Sequence, residues 1–195
     1  YATKEDSPYY IKDEHGDIAR WDFFGGNLEG IRQKIPYLKD LGVTAIYLNP
    51  IFQASSNHRY DTQDFMKIDP MLGTEEDFKN LIKDLHKNRI ALILDGVFNH
   101  VGADSKYFLS AVTDKTGPYY PWFNFINYPT KYQSWWGVTT LPEVNKNNAD
   151  YQNFICGPDG VLAKWTRMHV DGWRLDVADE LPMPLLREIR ERLQN

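Results

Sequence analysis

Cysteine occurs once in 195 residues, at Cys156, so no disulfide can form within the chain. A nucleophilic thiol would want a base and an electropositive setting, and Cys156 is read instead as a small buried or loop residue. The five histidines show no HExxH spacing and no Cys-x-x-Cys accompanies them, so no zinc site is expected. Positive charge is in the minority: 22 Lys and Arg against 27 Asp and Glu leave a net charge of −5. That balance speaks against nucleic acid, whose phosphates need a basic surface. No apolar run approaches the roughly 20 residues that cross a bilayer. No basic stretch followed by an apolar one opens the chain as a secretory signal would. Internal repeats and low-complexity segments are also lacking, and nothing in the composition points to a compartment.

Aromatic residues are plentiful: 14% of the chain, with 12 Tyr, 10 Phe and 6 Trp. They crowd between Tyr107 and Phe154, where Tyr119, Tyr120, Trp122, Phe123, Phe125, Trp135 and Trp136 fall. An aromatic ring has an apolar face that suits the C–H face of a sugar ring, and it packs equally well in a core. Both readings stand for this segment.

Residues 27–41 (NLEGIRQKIPYLKDL) carry apolar side chains at Leu28, Ile31, Ile35, Leu38 and Leu41, a helical spacing. Asn27 is the expected N-cap, Gly42 the stop, and Pro36 a bend or break inside. Residues 43–48 (VTAIYL) read as a strand buried on both faces. A weaker strand fits residues 64–68, and a helix capped by Thr74 fits residues 75–88, with Phe78, Leu81, Ile82 and Leu85 as its apolar stripe. A strand at 90–98 follows. Periodicity is then lost from Asn99 to Asn145, an expected functional excursion. Helix returns over 149–168, broken near Gly157-Pro158, before a strand at 170–177 and a helix at 184–193. Asp13 to Asp17 (DEHGD) reads as a Gly-containing turn. Alternation of strands and helices implies parallel pairing with right-handed crossovers, compatible with an open doubly wound sheet or with half of a (β/α)₈ barrel.

Two strands end abruptly in ionisable residues: ALILDGVFNH (residues 91–100) and VDGWRLDVADE (residues 170–180). In a parallel sheet such tips share one rim. Period-two alternation puts Asp95, Val97 and Asn99 on one face with His100 at the tip, and puts Arg174 and Asp176 together. An ionised carboxylate needs a cation beside it, and Arg174 supplies one to Asp176. By itself this is equally the pattern of a structural Arg–Asp ion pair, and His100 that of a structural hydrogen-bond donor.

These blocks resemble the α-amylase family of glycoside hydrolases. Asp95, Asn99 and His100 match its D-x-x-x-N-H block, and Gly172, Arg174 and Asp176 its G-x-R-x-D block. Residues 141–145 (LPEVN) match a short block between them, and residues 57–62 (NHRYDT) resemble the loop after the family's first strand. The resemblance implies that Asp176 is the nucleophile, that His100 donates to a sugar hydroxyl, and that Tyr60 stacks under the same sugar with His58 beside it. It implies that Asp95 holds Arg174, and that Glu180 lies near the acceptor side. In many relatives Asn99 binds calcium through its carbonyl oxygen. Here the block ends in Ala178-Asp179-Glu180, as in neopullulanases, cyclomaltodextrinases and amylopullulanases, whereas calcium-binding members end it in Lys-His.

The resulting expectation is an α/β fold: a partial (β/α)₈ TIM barrel, strands 1–4, with a long aromatic-rich excursion after strand 3. Residues 1–98 form the first part of the barrel, 99–145 the inserted excursion, and 146–195 its continuation. The implied activity is hydrolysis of an α-glucan (starch, pullulan or cyclodextrin) with retention of configuration, without an organic cofactor and with room for calcium. Retention needs a second, protonated carboxyl group roughly 5 Å from the nucleophile. In the family it follows strand five, and a third carboxylate follows strand seven, so the chain alone is expected to be inactive. The alternative is a non-catalytic sugar-binding or self-assembling half barrel.

Overall fold

The computed structural model describes residues 9–16, 18–23 and 25–194. The chain opens with an antiparallel pair, β1 (Tyr9–Lys12) and β2 (Ile18–Phe23). Between them Gly16, at φ 85°, donates its N–H to the Asp13 carbonyl at 3.1 Å. Asp17 of the expected turn, and residues 1–8 of the expected first section, lie outside the described residues.

The expected helix over 27–41 is two short ones, α1 (Leu28–Gln33) and α2 (Ile35–Asp40). Asn27 caps α1 by accepting from Gly30 N at 2.8 Å. Pro36 falls in the first turn of α2, where its missing N–H has no helical acceptor to satisfy, so the break occurs at Lys34. Gly42, at φ 82°, turns the chain into strand β3 (Ala45–Tyr47). Next come β4 (Phe52–Ala54), β5 (Thr62–Ile68), α3 (Glu75–Lys87) and β6 (Ala91–Gly96). A reciprocal capping box between Thr74 and Asp77 starts α3, and Phe78, Leu81, Ile82 and Leu85 are its buried face.

The chain continues through α4 (Lys106–Thr113), β7 (Phe125–Asn127), β8 (Lys131–Tyr132), α5 (Ala149–Cys156), α6 (Val161–Arg167), β9 (Gly172–Leu175) and α7 (Met183–Gln194). Helix α4 lies where no helical period is legible. Its start is local, with Ser105 accepting from Phe108 N at 3.1 Å, and its buried face is Tyr107, Phe108 and Ala111.

Among the described residues the parallel sheet has three strands, in the order β3-β6-β9, where four were expected. The second expected strand, β5, pairs antiparallel with β4. The reason is the short return from Ala54 to Thr62. A parallel return needs a crossover of a dozen or more residues, whereas a short loop can only reverse the chain.

The core lies between the sheet and its helices and is rich in rings. Trp165 packs on Phe52 at 5.0 Å and Phe78 at 5.6 Å, and its indole N–H donates to the Phe65 carbonyl at 3.0 Å. Burying each such side chain contributes about 2 kcal/mol. Tyr107, Trp122 and Phe123 are also buried, so these aromatics serve packing.

Candidate active site

The parallel register sets the frame. Tyr47 lies opposite Ile93, Ile93 opposite Gly172, and Asp95 opposite Arg174. Side chains two apart share a face, so Tyr47, Asp95, Arg174 and Asp176 collect at one rim of the sheet. Arg174 Nη1 donates to Asp95 Oδ1 at 3.0 Å, to Asp95 Oδ2 at 3.1 Å and to Asp176 Oδ1 at 2.7 Å. The Asp95 side chain is fully buried, that of Asp176 is 13% exposed, and that of Arg174 45%. These hydrogen bonds, first those to Asp95, raise the arginine's pKa further above its already high value.

Two tyrosines complete the cluster. Tyr60 donates to Asp95 Oδ2 at 2.8 Å, and Tyr47 to the same oxygen at 2.5 Å. Burial, then the hydroxyl contact with Tyr47 and the charge of Asp95, push the Tyr60 phenol up in pKa and keep it a donor. His58 stacks beside Tyr60, ring centroids 6.0 Å apart, and its Nδ1 accepts from Tyr60 N at 3.1 Å. Sequence reasoning missed Tyr47. The signal was present, since Tyr47 is two residues beyond Ala45 on the strand that neighbours β6.

Strand β6 ends at Gly96, so the alternation that placed Asn99 beside Asp95 stops before reaching it. The chain from Val97 to Val101 is instead buried under the returning segment 142–144. Val101 N donates to the Pro142 carbonyl at 3.1 Å and Val144 N to the Asn99 carbonyl at 3.0 Å. Tyr151 donates to the Phe98 carbonyl at 2.6 Å. His100 is 2% exposed. Its Nε2 lies 3.2 Å from the Tyr60 carbonyl, which can only accept, so Nε2 carries the proton and Nδ1 accepts from Asn99 Nδ2 at 3.3 Å. Burial pulls the imidazole pKa below its ordinary value, against a smaller upward pull from Asp176. In this arrangement the His100 Nε2–H is directed at the carbonyl of the loop that carries Tyr60.

Asn99 does not fit a calcium site. Its side-chain oxygen accepts from Lys146 Nζ at 2.7 Å, and the same ammonium lies 2.5 Å from Glu143 Oε1. Lys146 is 8% exposed, so a fixed positive charge already occupies the oxygen donors a divalent ion would take. Among the described residues no three His, Cys, Asp or Glu side chains gather to hold a metal.

Glu180 sits apart from this cluster, in a 3₁₀ turn (Ala178–Glu180) entered through Val177 at φ 50°. That left-handed conformation is costly for a β-branched residue, and it follows Asp176 directly. Glu180 Oε1 accepts from the indole Nε1 of Trp136 at 3.2 Å. A cavity of about 590 Å³ lies beyond Tyr47, between α1 and β3, and reaches His58 and Arg59. It holds neither Asp95 nor Asp176.

Residues 8–192 match the family model described as alpha amylase, catalytic domain. The chain is 45% identical over 187 residues to an amylopullulanase of Thermoanaerobacterium saccharolyticum, covering 82% of this chain and 14% of that protein. It is 40% identical over 199 residues to a cyclomaltodextrinase of Thermoanaerobacter pseudethanolicus, covering 97% of this chain and 34% of that protein. Among solved structures, the ligand-free cyclic alpha-maltosyl-(1→6)-maltose hydrolase of Arthrobacter globiformis superposes with a TM-score of 0.85 at 32% identity, covering 99% of this chain and 43% of that one. The chain therefore spans between about a seventh and a third of the length of these two curated relatives. With this rim of carboxylates at the ends of parallel strands, the chain belongs to the α-amylase family of glycoside hydrolases and is an α/β segment of its barrel.

Proposed function

We propose that these residues form the nucleophile side of an α-glucan hydrolase site that acts with retention of configuration. The observation that carries the reading is the single Arg174 nitrogen holding Asp95 and Asp176 at adjoining strand ends. Asp176 Oδ1 is bonded to Arg174, which assigns the attack on the anomeric carbon to Oδ2. As that C–O bond forms, the glycosidic C–O bond breaks, and the leaving oxygen takes its proton from an acid across the cleft. By family resemblance the acid follows strand five and a third carboxylate strand seven, so the 195 residues alone release no sugar. Asp95 keeps Arg174 in place, Tyr60 offers a ring to the sugar with His58 behind it, and His100 fixes the Tyr60 loop. The named relatives' substrates suggest starch, pullulan or cyclodextrins. No organic cofactor is required.

The test uses the full-length protein that contains this chain. A 5-fluoroglucosyl fluoride should trap the glycosyl-enzyme, and peptide mass mapping should place the adduct on Asp176. An adduct on another carboxylate, or full starch hydrolysis by Asp176→Asn, would overturn the reading.

A second reading rests on the exposed edge of the sheet. Strand β3 pairs on one side only among the described residues, and Tyr37, Leu41 and Tyr47 nearby are 61%, 66% and 43% exposed. Such an edge favours association of the isolated chain with itself. Light scattering that gives a monomer at micromolar concentration would dismiss it.

A further inference from the structure

The most exposed large apolar side chain among the described residues is Trp136, at 82%. It sits in a 3₁₀ turn (Trp135–Gly137) at φ 50°, ψ 27°, a left-handed conformation that an aromatic residue rarely adopts. The turn is held from both sides. Trp135 N donates to the Leu141 carbonyl at 3.0 Å, and Leu141 N to the Val138 carbonyl at 2.9 Å. Its neighbour Trp135 lies against His100, ring centroids 5.9 Å apart. The indole N–H of Trp136 is itself committed to Glu180, four residues beyond Asp176.

An exposed indole loses its burial, and a left-handed backbone adds strain. Neither is offset by packing of this ring in a core. What the arrangement does achieve is orientation. One edge of the ring is pinned by a hydrogen bond to a carboxylate, and the ring itself stays in solvent. A flat apolar surface with a carboxylate acceptor at its edge matches a pyranose, which has C–H groups on its face and hydroxyls around its rim. Tyr47, also exposed, is bonded to Asp95 within the rim itself, whereas Trp136 is anchored beside that rim through Glu180.

We propose that Trp136, oriented by Glu180, is a stacking platform for a glucosyl unit of the substrate other than the one attacked by Asp176. The proposal rests on the α-glucan reading and adds a specific subsite to it. It implies that longer oligosaccharides gain affinity through this ring, because a short one does not span both places.

Isothermal titration of maltohexaose into full-length Asp176→Asn protein separates binding from turnover. Adding Trp136→Ala should weaken binding about tenfold, while Trp136→Phe, which keeps a flat ring, should lose about threefold or less. Circular dichroism of both variants should match the parent, since the ring is exposed. If Trp136→Ala binds as the parent does, or if the Phe variant loses as much as Ala, the platform is overturned. If the parent protein itself binds no maltohexaose, the platform is likewise overturned. The nucleophile assignment stands or falls separately on the adduct at Asp176.

Discussion

Arg174 lies directly opposite Asp95 in the parallel register, and one of its nitrogens contacts both oxygens of that carboxylate at 3.0 and 3.1 Å. The two partners are unequal, since the Asp95 side chain is fully buried and that of Arg174 is 45% exposed. Removing either therefore has different consequences.

Arg174→Ala leaves a buried carboxylate supported, among the described residues, by two tyrosine hydroxyls, and should destabilise the fold by about 3 kcal/mol. Asp95→Asn leaves the arginine with solvent and Asp176, and should cost about 1 kcal/mol. Urea melts of the two variants give the comparison. Equal losses would show that burial of Asp95 does not govern the pair.

His100 ties stability to pH. Burial lowers its pKa in the folded state from an ordinary value of 6.5. Above pH 6.5 both states are neutral and the full stability is present. As pH falls below 6.5 toward the folded value, the unfolded chain binds a proton that native His100 refuses, so stability declines by at most about 1.4 kcal/mol per pH unit. Below the folded value the loss levels off. His100→Asn should flatten this part of the profile below pH 6.5, the ordinary value from which burial lowers the native group. An unchanged slope in thermal melts of the variant would refute the assignment.

Lys146 serves as the cation at Asn99. Lys146→Ala leaves the buried Asn99 oxygen and Glu143 without it and should cost about 3 kcal/mol. Chelators should leave the melting midpoint of the parent chain unchanged, because its oxygen donors are already bonded to an ammonium. A fall in the midpoint with chelator, restored by calcium, would contradict this.

Gly102 sets how closely the Tyr60 loop approaches the strand tip. A Cβ there would lie 2.6 Å from the Asp61 carbonyl oxygen, and Gly102 N donates to the Thr62 carbonyl at 2.9 Å. Gly102→Ala must push that backbone away, at about 2 kcal/mol. Thermal melts check the cost, and an unchanged midpoint would refute the clash.

The helices and strand tips were legible because their causes are local. Thr74 and Asp77 cap within one turn, Pro36 starts a new helix with the break two residues before it, and the polar ends of β6 and β9 are visible as interruptions of apolar runs. The Asp95–Arg174–Asp176 cluster could be anticipated because parallel pairing and a period of two put those residues on one rim. Position along the chain misled the reading at Asn99, where alternation was extended past the end of the strand. It misled again at β5, where the short return from β4 forces antiparallel pairing. Helix α4 went unread because its apolar face is short and surrounded by rings that match no period.

What the sequence by itself determined is the strands β3, β6 and β9, the capped starts of α1 and α3 and the residue types at the strand ends, since these depend on neighbours a few positions away. Only the tertiary structure decided what each polar group does there. The bonds from Tyr47 to Asp95, Lys146 to Asn99 and Trp136 to Glu180 join residues 48, 47 and 44 positions apart. Nothing in local propensity selects those partners. They are chosen by the sheet register and by the packing that brings residues 142–146 over the end of β6.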